Sequence, residues 1–362
     1  MTAARTFGPV RIVGTGLLGT SLGLALRARG VEVILANRSP AALRLAIDYG
    51  AGRAATDADA PALVVVATSP DSTAERVAAE LAAHPEALVT DVASVKGGIL
   101  RELIAVGADV ARYLGSHPMA GRERGGAMAA RADLFDGRPW VLAPHDATDP
   151  AQVRALEDLA LDVGAVPVVM DPEDHDRGVA LISHAPQLVA SLLAARLTDG
   201  QTRAVGLAGQ GLRDTTRIAA SDPELWVQIL SANAAPVAEV LSALRDDLDA
   251  ALAALRDPEA PGALATIAGV LDAGNRGVAR IPGKHGRDER YASLVVRIDD
   301  RPGELARLLT EIGEEGVNME DLRLEHSPGA QVGYAEIAVL PERSHELATA
   351  LEARGWTLVE GR

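Results

Sequence analysis

A chain of 362 residues with 48% apolar content is long enough for two or three domains, each burying a core of its own. Fifty acidic against 35 basic residues leave a net charge of −15, which repels nucleic-acid backbones and anionic membranes, and 2% aromatics supply no base-stacking platform. The absence of cysteine excludes a disulfide framework and a thiolate metal site.

The first residues, MTAARTFGPVRIVG, lack a charged region followed by a signal-length apolar run, and apolar runs such as Leu63 to Ala67 are too short to span a bilayer. The expectation is a cytoplasmic protein with neither membrane nor nucleic acid as partner. From Val10 to about Met170, short β-branched runs at 11–13, 31–35, 62–68, 87–92 and 140–144 alternate with alanine-rich helical segments. Such alternation predicts a parallel sheet wound with helices, an N-terminal Rossmann domain over 1–170.

Strand signals then stop. Residues 175–197 and 223–255 carry helix-period apolar residues, with Pro186 and Pro236 expected at kinks or first turns. An all-helical domain over 171–280 is predicted, with apolar faces suited to a homodimer. A glycine-rich, basic linker covers 281–290. The tail, 291–362, reads strand (293–298), helix (303–315), two strands (317–326, 332–340), helix (342–355) and strand (356–360), the β-α-β-β-α-β order of a ferredoxin-like α+β module.

The loop Gly14-Thr15-Gly16-Leu17-Leu18-Gly19 follows a short strand and opens an apolar helix. Gly14 permits the tight turn, Gly16 lets a pyrophosphate approach the backbone, and Gly19 lets helix and strand pack closely, with the helix N-terminus toward the anion. Leu17, Leu18 and Thr68, the last at the end of the apolar run 62–68, are counted with the cofactor contacts. Where an acid would hold the ribose of NAD, the chain has Asn37-Arg38-Ser39. A neutral residue removes repulsion toward a 2′-phosphate and Arg38 can pair with it, so NADP is expected, with NAD as the alternative.

Small polar groups at 90–96, including Ser94 and Lys96, fall at the end of a sheet strand, where such sheets bind ligands. His117 stands between Gly115 and Pro118 in an expected loop, with little reason to be there for packing. The segments DVASVKGGI, GSHPMAGRERGG, DHDRGVALISHAPQ and GLRDTTRIAASDPELW together resemble the prephenate dehydrogenase family, which includes arogenate dehydrogenases. The resemblance covers about residues 8–290. The tail, with Asp300 to Leu305 and Gly316 to Met319, resembles an ACT domain.

The family resemblance implies oxidative decarboxylation of prephenate to 4-hydroxyphenylpyruvate in tyrosine biosynthesis. His117 would take the proton of the ring hydroxyl, and Ser94 would orient it unless it merely caps a helix. Arg217 would grip a substrate carboxylate, with Asp214 holding it in the empty site, and Glu123 and His184 would lie near the substrate. Gln187 stands where many prephenate-specific members carry a second histidine, which keeps arogenate open as the substrate. Lys96 either tunes charge near the nicotinamide or caps a loop. His175 and Asp176, with Asp171, Glu173 and Asp174, read as acids favouring a helix start rather than as a metal site.

A β-hydroxyacid dehydrogenase, relying on lysine for proton transfer, and a non-catalytic NADP-binding sensor are the rival readings. The ACT-like tail either senses an amino acid, tyrosine by pathway logic, near Asp300 to Gly303 and Asn318, or mediates dimer contacts. Lys284-His285 of the linker either touches the active site or is solvated.

Overall fold

The computed structural model describes residues 4–121, 125–281, 291–326 and 332–359. Glu123, Lys284 and His285 lie outside the described residues. The contacts divide the chain into two compact units, Met1–Asp199 with Thr216–Leu244, and Gly200–Thr215 with Arg245–Arg362.

The first unit begins with β1 (Val10–Val13), α1 (Leu17–Ala28), β2 (Val33–Ala36), α2 (Pro40–Asp48), β3 (Arg53–Ala54), β4 (Leu63–Val66), α3 (Pro70–Ala83), β5 (Leu88–Asp91) and α4 (Gly97–Ala105). The five strands form a parallel sheet in the order β3-β2-β1-β4-β5. Continuous apolar runs such as Val-Ile-Leu-Ala and Leu-Val-Val-Val suit strands covered on both faces. One core cluster centres on Ile12, Leu26, Leu35 and Val65 and a second on Val64, Val66, Val77 and Leu103. At about 1.5–3 kcal/mol per buried aliphatic side chain, these two layers hold the sheet. The strands' C-terminal ends carry Gly14, Asn37, Thr68 and Asp91.

A second sheet, β6 (Gly115–Pro118), β7 (Pro139–Ala143) and β8 (Val166–Val169), with α5 (Pro150–Asp162) between the last two, extends the domain. β6 and β7 are antiparallel, β7 and β8 parallel. The sequence pattern anticipates neither β6 nor β8. Gly115-Ser116-His117-Pro118 carries no β-branched residue, and it is strand because it pairs with the apolar β7, His117 opposite Val141. His117 therefore sits on a strand, a correction to the expected loop.

α6 (Pro172–Val179), a π-helical turn (Ala180–His184) and α7 (Ala185–Ala195) follow as one helical run, with Asp171 capping its start through Glu173 N and Asp174 N. Pro186 falls in the first turn of α7, as expected. By length and composition alone Pro172–Asp199 could cross a bilayer, contrary to the expectation from the apolar runs, yet it carries buried His175, Asp176 and His184. α8 (Thr202–Val205), α9 (Gln210–Thr216), α10 (Pro223–Ala232), α11 (Ala234–Arg256) and α12 (Ala263–Val278) complete the helical region. α10 packs on α3, and the chain bends by 94° between α10 and α11, where Pro236 sits in the opening turn.

In the second unit, β9 (Ala292–Asp299), α13 (Glu304–Glu314), β10 (Asp321–His326), β11 (Val332–Val339), α14 (Pro341–Ala353) and β12 (Thr357–Val359) form an antiparallel sheet ordered β10-β11-β9-β12. This is the expected ferredoxin-like arrangement, closed over Val296, Leu308, Ile337, Leu347 and Trp356.

Candidate active site

A cleft of about 560 Å³ opens over the C-terminal ends of β1, β2 and β4, lined by Gly14, Gly16, Asn37, Arg38, Thr68, Ser69 and Arg76 among others. Gly14 has φ +107°, and a Cβ there would lie 2.3 Å from the carbonyl oxygen of Ala67. A Cβ on Gly19 would lie 2.0 Å from the carbonyl oxygen of Gly14, so helix and turn close only without side chains. A Cβ on Gly16 would meet nothing within 4 Å. Gly16 is also the N-cap of α1 and provides no side-chain cap, so the first-turn amides of Leu17 and Leu18 face an open cradle. A dinucleotide pyrophosphate fits these features. The side chain of Leu18 packs on the core instead of lining the cleft.

Asn37 donates to the Thr15 hydroxyl and accepts from Ser39 N at 3.0 Å, which ties the end of β2 to the glycine turn. The Ser39 hydroxyl caps α2 through Ala42 N. Arg38 is exposed at the cleft, and Arg76 of α3 lines the same cleft. Both cations are placed for an anion.

His117 points its Nδ1 at His175 Nε2, 2.9 Å away, with the rings edge to face at 5.2 Å. His175 Nδ1 donates to Asp176 Oδ1 at 2.9 Å. The Asp176 carboxylate also accepts from Lys96 N at 2.8 Å and Gly97 N at 2.9 Å. Burial opposes its charge, but these hydrogen bonds prevail and hold it below the ordinary aspartate range. Burial, then the neighbouring His175, Lys96 and His184, push His117 well below the ordinary histidine value. His117 is therefore neutral at neutral pH, the state a proton acceptor requires.

Asn233, the residue between α10 and α11, donates to the main-chain carbonyl of Asp176 at 2.8 Å and lies 3.0 Å from His184 Nδ1. His184 stacks edge-on against Trp226, and burial lowers it to about 4. Gln187 donates to the Ser221 hydroxyl at 2.7 Å. The 3₁₀ turn Arg217–Ala219 packs on α7, the helix of Gln187. Asp214 accepts from Gln210 at 2.8 Å within α9.

Two expected roles change. The buried Lys96 ammonium is not at the nucleotide cleft: it pairs with Asp91, which also accepts from the Tyr113 hydroxyl, and donates to the Ser116 carbonyl at 2.7 Å. It ties the loop after β5 to β6. Ser94 does not bond His117: its Oγ is buried without a hydrogen-bond partner among the described residues, and α4 starts after Lys96. The partner of His117 is His175. Sequence reasoning missed Asn233 and the inward role of His175 and Asp176, and the available signal was the i, i+1 pair of a histidine and an acid, read there as favouring a helix start.

The nucleotide cleft and the half-buried His117 define a nicotinamide-dependent dehydrogenase. Family models described as the nucleotide-binding domain and the dimerization domain of prephenate dehydrogenase match residues 22–169 and 171–268. A probable prephenate dehydrogenase of Streptomyces niveus, NovF, is 40% identical over 353 residues, 95% of this chain and 98% of that protein. The prephenate dehydrogenase of Aquifex aeolicus, solved with hydroxyphenyl propionate and NAD+, superposes with a TM-score of 0.67 at 26% identity over 75% of this chain and 99% of that one. A Synechocystis arogenate dehydrogenase superposes at 0.62 and 27% identity, over 74% and 99%. The chain belongs to the prephenate dehydrogenase family. The activity that goes with this membership is NAD(P)-dependent prephenate dehydrogenation.

Proposed function

We propose that the chain oxidises prephenate to 4-hydroxyphenylpyruvate with His117 as the base and with NADP preferred over NAD. The observation that carries this reading is a neutral, partly buried His117 whose Nδ1 is engaged by His175, leaving Nε2 as its second ring nitrogen. When bound, the nicotinamide supplies the hydride acceptor. His117 takes the proton of the ring hydroxyl as hydride leaves the same carbon, and the electron pair of the departing carbon dioxide closes the aromatic ring. The proton returns from His117 to the phenolate oxygen, so the side chain ends as it began.

Ser94, with its unpartnered hydroxyl, is left to orient the substrate hydroxyl, and His184 and Arg217 to hold the substrate carboxylates. For the cofactor, Arg38 is assigned the 2′-phosphate and Arg76 a supporting charge. The rival hydroxyacid mechanism needs an available lysine, and the ammonium of Lys96 is buried and bonded. The arogenate alternative is favoured by one residue: Gln187 cannot carry the charge of a histidine and already donates to Ser221. Product analysis separates them, since prephenate yields 4-hydroxyphenylpyruvate and arogenate yields tyrosine. Appearance of neither product overturns the reading.

The same reading makes the protein a cytoplasmic homodimer. Leu244, Leu248, Leu252 and Leu255 of α11 recur at helical spacing and are exposed, as are Leu264 and Leu271 of α12, a surface for a second copy. The ferredoxin-like tail is assigned as an ACT domain binding tyrosine between Asp300 to Gly303 and Asn318. Its support is the left-handed Gly303 (φ +94°) opening α13 and the exposed Asn318, whose amide donates to Glu320 Oε1 at 2.9 Å. Tyrosine titration of the full chain tests it, and activity indifferent to millimolar tyrosine removes the effector role.

A further inference from the structure

We propose that His175 and Asp176 are positioning residues for His117, forming an Asp176–His175–His117 relay that fixes the tautomer of the base and balances the charge it acquires. The inference rests on the reading of His117 as the base. It follows from hydrogen-bond bookkeeping. Main-chain amides can only donate, so Lys96 N and Gly97 N, at 2.8 and 2.9 Å, fix the Asp176 carboxylate as an acceptor. His175 Nδ1, 2.9 Å from Asp176 Oδ1, must then carry a proton, and a neutral His175 has its lone pair on Nε2. Across the next 2.9 Å, His117 Nδ1 must be the donor. The lone pair of His117 is thereby placed on Nε2, the nitrogen left for substrate.

The surroundings explain why a relay is needed. The charged and titratable groups around His117 are His175 and Asp176 from α6, His184 from the π-helical turn, and the Lys96–Asp91–Tyr113 cluster beneath β6. Lys96 and the two histidines disfavour a positive His117, and the Lys96 charge is matched by Asp91. Asp176 is therefore the anion left to stabilise the imidazolium formed as the proton is taken, and His175 is the group that transmits it. Asn233 holds the main-chain carbonyl of Asp176, which fixes the far end of the relay.

Steady-state pH profiles of the full-length enzyme, His175→Gln and His117→Asn test the proposal. The expected result for His175→Gln is a kcat reduced by about 10²-fold or more, the acid limb of the kcat profile moved to lower pH, and substrate KM, NADP Kd and Tm close to those of the parent. A kcat within threefold of the parent with an unchanged acid limb overturns the relay. His117→Asn separates the two levels: an active His117→Asn overturns the base assignment itself, whereas an inactive His117→Asn beside a fully active His175→Gln overturns the relay alone. If His175→Gln does not fold, ¹⁵N-histidine spectra of the unaltered protein decide: His117 protonated at Nδ1 is the expected tautomer, and protonation at Nε2 overturns the proposal.

Discussion

Lys96 donates through its ammonium to the main-chain carbonyl of Ser116 at 2.7 Å, one residue before His117. Together with the Asp91 carboxylate, which also receives the Tyr113 hydroxyl at 2.7 Å, this bond fixes the strand that carries the base. Lys96→Met leaves Asp91 buried without its counter-charge, a loss of about 3–5 kcal/mol. Thermal denaturation should show a Tm lower by roughly 10 °C, while NADP titration of the folded fraction gives a Kd near that of the parent. An unchanged Tm with lost cofactor binding would return Lys96 to the nucleotide cleft.

The glycines of the first turn separate fold from function. Gly19→Ala forces a Cβ to within 2.0 Å of the Gly14 carbonyl oxygen, so soluble yield and Tm should both fall. Gly16→Val adds its side chain to open space, so Tm is retained while the pyrophosphate is shut out. Calorimetric titration with NADP and thermal melts distinguish the two, and Gly16→Val binding NADP normally would contradict the cradle.

The pH dependence follows from His117. Its folded value is held well below 6.5, first by burial and then by His175, Lys96 and His184, so the neutral base is already present at pH 6.5. Activity is lost only as pH falls through the lowered value and the imidazole takes up a proton. The kcat/KM profile for prephenate should thus stay flat from neutrality to below pH 6.5, with its acid limb lower still. A limb centred at 6.5 or above attributed to His117 would contradict the burial argument.

Arg38 decides the cofactor. Removing a charge-assisted contact to a 2′-phosphate costs about 1.5–3 kcal/mol, so Arg38→Ala should lower kcat/KM for NADP about 10- to 100-fold and leave NAD nearly unchanged. Equal efficiency with both cofactors in the parent, unaltered by the substitution, removes the preference.

The parallel sheet and the glycine turn were legible because continuous β-branched apolar runs and the Gly14, Gly16, Gly19 spacing are local signals. The ferredoxin-like tail was legible for the same reason, each strand and helix carrying its own pattern. β6 was not, since Gly115 to Pro118 is strand only through pairing with β7. The relay was hidden for a related reason. Asp171, Glu173 and Asp174 do serve the exposed start of α6, and the inward turn of the next two residues depends on α4, β6 and Asn233, partners 58 to 80 positions away for three of these bonds. Ser94 and Lys96 were placed correctly along the chain, but their side-chain partners depend on burial, which no local pattern encodes.

The central claim is tested most directly by reduction at 340 nm, pairing prephenate and arogenate each with NAD and NADP, beside His117→Asn. Turnover of prephenate that is fastest with NADP and falls about 10²- to 10⁴-fold in His117→Asn is the predicted result. No reduction in any of the four pairings, or a His117→Asn enzyme as fast as its parent, would contradict the account.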